Sequence, residues 1–184
     1  LAFFAFLFIA VGAAVATGLI DTLAGGLERF IHWGQASMGL GDTGTLLFAA
    51  LIVLWVSGFL SALIDNIPYV AVTIPIIAKL VTSLTGDTEI LWWALSLGAC
   101  LGGNGTAVGA SANVTVIGMA DRAGEHISFM DFTRYGARMA TVTLLISSAF
   151  IVSHLYLGKV PTLLGGSAGL LLWFGVGRLR QRAA

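Results

Sequence analysis

Six stretches of 13 or more residues carry no charged residue: 1–20, 43–64, 66–78, 90–120, 139–158 and 160–177. A run of about 20 apolar residues matches a hydrocarbon core of roughly 30 Å at 1.5 Å per helical residue. In lipid a backbone must satisfy its own N–H and C=O groups, so runs of this kind fold as membrane helices. The alternation of apolar and polar residues that marks a membrane β-barrel is absent. The first run lacks the Met and basic leader of a signal peptide and is followed by further runs, so it reads as a span, and the missing Met suggests a piece of a longer chain.

Composition excludes the other classes. Of 184 residues, 58% are hydrophobic and 10% are charged, with no net charge. A soluble domain carries about 25% charged residues. Disorder needs the opposite balance, and no basic field exists to hold nucleic acid. The single cysteine, Cys100, rules out a disulfide framework or a thiolate metal site. The glycine-rich string at 102–106 lacks the lysine of a nucleotide-binding loop, and no serine stands on a nucleophile elbow. An enzyme or an ATP-driven pump is therefore not expected.

Two runs have the wrong length. Residues 66–78 reach only about 20 Å as a helix, and 90–120 about 46 Å. The short run follows Asp65-Asn66-Ile67-Pro68. Proline suits a first helical turn and pushes its predecessor out of helical geometry. A helix is thus expected to end near Leu63 and another to start near Pro68. The long run contains Gly102-Gly103-Asn104-Gly105-Thr106, then Gly109, Ser111 and Asn113. Each glycine weakens a helix by about 1 kcal/mol against alanine. The predicted elements are a transmembrane helix at 1–20, an interfacial stretch at 22–38, and a re-entrant hairpin at 45–80 with its tip at 65–68. A transmembrane helix at 90–120 follows, broken around 102–113, then an interfacial helix at 128–140 and a transmembrane helix at 141–158. A further span with a basic cytoplasmic tail occupies 160–184. Arg122, Arg134 and Arg138, with the arginines of the C-terminus, place those segments on the cytoplasmic side.

Broken helices at membrane depth are tolerated only inside protein or beside water. Transporters use them as sites, with half-helix N-termini facing anions and unwound carbonyls facing cations. Both breaks here carry amides, hydroxyls or a carboxylate: Asp65 and Asn66 in one, Asn104, Gly105, Thr106, Ser111 and Asn113 in the other. These are the candidate substrate- and ion-binding residues. Asp65, flanked by long apolar runs, is a candidate coupling group; it can equally cap the helix that follows. Gly98 with Gly102, and Gly105 with Gly109, also fit close helix packing. His154 reads as an interfacial or pore-facing residue, and Trp92 and Trp93 as an interfacial belt.

The strings Leu60-Ser61-Ala62-Leu63-Ile64-Asp65-Asn66-Ile67-Pro68-Tyr69-Val70, Gly98-Ala99-Cys100-Leu101-Gly102-Gly103-Asn104-Gly105-Thr106 and Gly109-Ala110-Ser111-Ala112-Asn113-Val114 resemble the ion transporter superfamily. Within it the likeness is to the arsenite-permease and NhaD-type branch, which shares the citrate-transporter-like domain. The resemblance covers about 1–157. It implies an all-α integral membrane fold, one inverted-repeat half (the C-terminal repeat) of a secondary transporter, with a re-entrant hairpin and a discontinuous helix. Dicarboxylate carriers of the superfamily have Ser-Asn-Thr at the hairpin tip, where this chain has Asp65-Asn66-Ile67.

The expected function is secondary transport of a small oxyanion or metalloid such as arsenite, driven by a proton or sodium gradient through alternating access. Alternatives are a Na⁺/H⁺ antiporter, a citrate or dicarboxylate carrier, and an assembly subunit without transport whose helix would run unbroken through 102–113. No cofactor is expected. The coupling ion is H⁺ or Na⁺, with Na⁺ near Asn66 and Asn104. Expected partners are the lipid bilayer, the N-terminal inverted repeat of the same transporter and a second copy in a homodimer, with no nucleic acid. The expected location is the plasma membrane, crossed several times.

Overall fold

The computed structural model describes residues 2–158. The expected span and basic tail at 160–184 lie outside the described residues. Within them the fold is helical throughout: α1 (Ala2–Ala16), α2 (Leu19–Met38), α3 (Asp42–Leu63), α4 (Asn66–Ser83), α5 (Ile90–Gly102), α6 (Ser111–Arg122) and α7 (Phe129–Leu157). The run expected as one helix over 1–20 is interrupted at Gly18, which sits in left-handed geometry at φ 73° before α2 begins. Glycine enters that region without the Cβ clash other residues meet.

The core is built on α3 and α5. Gly98 lies against the Leu54 carbonyl and Gly102 against the backbone of Gly58. Both pairs share one offset, so the two helices run parallel. A Cβ at position 102 would stand 2.2 Å from the Gly58 oxygen, so only glycine permits this approach. The packing reading of Gly98 and Gly102 therefore holds. Leu54, Ile77, Leu91 and Ile151 join α3, α4, α5 and α7 in one buried cluster.

α7 runs antiparallel to α5. Its Gly136 meets the Asn104 carbonyl, while near the other end His154 Nε2 lies 3.5 Å from an Asp87 carboxylate oxygen. The segments read separately as 128–140 and 141–158 are one helix of 29 residues. Ser128 caps it by accepting from Asp131 N at 3.1 Å, and no proline or glycine pair interrupts it.

α4 also differs from expectation. It begins at Asn66, near Pro68 as expected, but extends to Ser83 over 18 residues. Pro68 falls in the first turn, where a missing N–H costs nothing. Lys79 lies within the helix, as lysine readily does, and pairs with Asp21 of α2. At about 27 Å, α4 is not the short element that the charge-free run 66–78 suggested; by length and composition it can cross a membrane, as can α3 and α7. Only Ile77 and Leu80 of α4 are buried. α6 has no buried residue and packs against no other helix among the described residues.

Candidate functional site

The two interruptions meet. α3 ends at Leu63, Ile64 is extended, and Asp65 turns the chain into α4. α5 ends at Gly102, and residues 103–110 are non-helical until α6 starts at Ser111. The Asp65 carboxylate joins these places. One oxygen accepts from Ile67 N at 3.1 Å. The other accepts from Ser111 N at 2.8 Å, across 46 residues of sequence. One side chain thus caps the N-termini of both α4 and α6. Capping by a carboxylate satisfies an orphan N–H and favours the positive end of the helix dipole; here it does so twice.

A second link lies beside the first. Thr106 Oγ1 donates to the Ala62 carbonyl at the end of α3 and accepts from Gly109 N at 3.1 Å. Asn113 then closes the loop from inside: its Nδ2 donates to Gly103 O at 2.9 Å and to Thr106 O at 3.0 Å. Ser61, fully buried, donates to Ala99 O at 2.7 Å, and Tyr69 donates to Ser57 Oγ at 2.9 Å. Gly105 is buried, and its carbonyl lies near Gly136 of α7.

Of the seven expected residues, Asp65, Thr106, Ser111 and Asn113 are held in this one network, with Gly105 in its backbone. Asn104 is exposed, and its Nδ2 reaches only Cys100 O at 3.4 Å. Asn66 is half-buried at the start of α4. No hydrogen bond joins Asn66 to Asn104, the pair expected to flank Na⁺. Among the described residues no group of three His, Cys, Asp or Glu side chains is placed to hold a metal ion. Ser57, Ser61 and Tyr69 were not anticipated. The spacing of Ser57 and Ser61 by one helical turn on an otherwise apolar helix was the available signal.

Four helix ends therefore converge. α4 and α6 present N-termini, with partial positive charge, while α3 and α5 present C-termini, with partial negative charge. Such a junction offers N–H groups to an anion and carbonyls to a cation. Three of the helices are long and apolar enough to cross a membrane, and broken helix ends that meet in this way are an arrangement found in transporters.

Comparison with known proteins supplies the family. The Citrate transporter family (CitMHS) matches residues 1–98, more than half of the chain. An uncharacterized transporter of Mycobacterium bovis is 45% identical over 153 residues, covering 82% of this chain and 33% of its own length. The 46 kDa membrane protein of Mycobacterium leprae is 44% identical over the same shares. The human P protein is 42% identical over 120 residues, covering 61% of this chain and 14% of its own. No solved structure matches. The chain belongs to the citrate transporter family, within the ion transporter superfamily. It spans about a third of the length of its mycobacterial relatives. The family and the Mycobacterium bovis relative are transporters, not enzymes.

Proposed function

We propose that this chain is one repeat of a secondary active transporter that carries a small carboxylate-bearing anion together with a proton or Na⁺. The observation that carries the reading is the shared capping of α4 and α6 by Asp65. In this arrangement the protein's own carboxylate occupies the N–H that an incoming anion would use. A proton or Na⁺ on Asp65 weakens its hold on Ser111 N and leaves the α6 N-terminus open to a substrate carboxylate. Binding of the cation and binding of the anion are then linked at one side chain, as coupling requires.

The family match supports an organic anion over arsenite, and no observation here favours the arsenite-permease or NhaD-type branch. A cation/proton antiporter is the second reading, favoured by the negative charge of Asp65 at the centre of the junction. The assembly-subunit alternative needed an unbroken helix through 102–113, and the break at 103–110 removes its premise. In the proposed transporter α3 and α4 form a helical hairpin that enters and leaves by one face, each arm long enough to cross the membrane, and the counterpart inverted repeat covers the exposed α4 and α6. Both lie in the plasma membrane, and movement of the hairpin-bearing body gives alternating access.

Uptake of labelled citrate by vesicles containing the whole transporter tests this reading. Uptake should follow an imposed proton or Na⁺ gradient and lose that dependence in Asp65→Asn. Cation exchange without anion uptake would favour the antiporter; uptake indifferent to both gradients and to Asp65→Asn would overturn both readings.

A further inference from the structure

An open groove of about 280 Å³ lies between α3 and α7. Trp55, Phe59 and Leu63 line it from α3, and Ala137, Thr141 and Leu144 from α7. Gly105 and Thr106 of the break also line it. On α7 the lining residues recur every three or four positions, which places them on one helical stripe. Continued by one turn toward the N-terminus, that stripe reaches Arg134, with Arg138 one turn back along its edge. Both arginines are exposed, and neither forms an ion pair among the described residues.

The same helix carries its own measure of the bilayer. Tyr135 and Tyr156 are 68% and 62% exposed. They are separated by about 32 Å along the helix axis, close to a hydrocarbon thickness of roughly 30 Å. Tyrosines are enriched at the two membrane interfaces. Between them the outward face is apolar, with Val142, Leu145 and Ile146 more than half exposed. On this placement Arg134 and Arg138 stand at the level of lipid phosphates. Asp131, held by Ser128 Oγ at 2.6 Å, stands a turn further out.

We propose that the α3–α7 groove binds one anionic phospholipid, its acyl chain along the groove and its phosphate on Arg134 and Arg138. Arginine suits this task because its planar fork meets phosphate oxygens in pairs. The acyl chain would lie against Thr106 and Gly105, so the lipid would support the wall of the break. This inference does not depend on the identity of the transported solute.

The test uses the whole transporter, purified from vesicles of equal parts phosphatidylglycerol and phosphatidylcholine, with retained lipid counted by native mass spectrometry. The wild type should retain phosphatidylglycerol over phosphatidylcholine by about tenfold or more. The Arg134→Gln/Arg138→Gln variant should lose that preference, and Arg134→Lys/Arg138→Lys should keep part of it. Ala137→Phe, which fills the groove, should reduce retention of both lipids. Equal retention of the two lipids by the wild type would overturn the proposal. So would unchanged preference in the glutamine variant. A third contrary result is a glutamine variant whose thermal stability falls equally in the two lipids, which would mark the arginines as partners of carboxylates elsewhere in the transporter.

Discussion

Asp65 is an acceptor twice over, and that sets what can replace it. Asparagine keeps one carbonyl oxygen and turns the other position into an N–H₂ donor. It can cap α4 or α6 but not both, and its amide then faces a backbone N–H. Asp65→Asn should therefore lower the stability of the transporter by about 1–3 kcal/mol, read as a fall in thermal unfolding temperature in detergent. Glutamate, one methylene longer, keeps both acceptors and should restore part of that loss. Thr106→Val removes a donor from Ala62 O and an acceptor from Gly109 N in a single change. Hydrogen bonds inside membrane proteins average about 0.6 kcal/mol, with a maximum near 1.7. Thr106→Val should therefore cost about 1–2 kcal/mol, while Thr106→Ser should cost little.

The elements show how much the sequence alone revealed. Both interruptions were legible, because Asp65-Asn66-Ile67-Pro68 and the glycine cluster at 102–109 are locally incompatible with a continuous helix. Their meeting was not. The contact from Asp65 to Ser111 depends on α3 and α5 running parallel, and that follows from Gly102 packing onto Gly58 44 residues away. Nor was the extent of α4 or α7 legible. The charge-free run stops before Lys79, but the helix continues to Ser83, and Lys79 pairs with Asp21 of α2. The charged and aromatic residues of 128–140 looked like a surface helix, yet α7 runs through them on a face that buries Ala140, Leu144, Ser147 and Ile151. Because the α3–α5 seam is backbone against backbone, it has no side chain to yield. Gly102→Ala should cost about 1–3 kcal/mol or more from overpacking. It should also displace the break and so reduce substrate affinity as well as stability. Gly118→Ala, in the interior of α6 where nothing lies within 4 Å of an added Cβ, should instead raise thermal stability by up to about 1 kcal/mol.

At the scale of the whole molecule, the described residues form a body with one finished side and one unfinished side. α3, α5 and α7 share the buried cluster, whereas α6 buries nothing and α4 buries two residues. Of the helices α3 to α7, the two least buried are those whose N-termini Asp65 caps. The unfinished side is thus the side that carries the candidate site, as the proposed counterpart repeat would require. Gly136 also places the break about 32 Å from the Leu157 end of α7, near the level of Tyr135. Water should reach it from the side on which α6 and α7 are joined. Thiol labelling checks this in the whole transporter with Cys100→Ala, by introducing cysteine at Ile67 and, separately, at Ala112, both exposed beside the junction. If the two interruptions form one solute site, both cysteines should react with a membrane-impermeant maleimide from that side, and saturating citrate should protect both together. Cysteines that differ in their response to citrate, or that react from neither side, would show that the meeting of α4 and α6 at Asp65 is not where the solute binds.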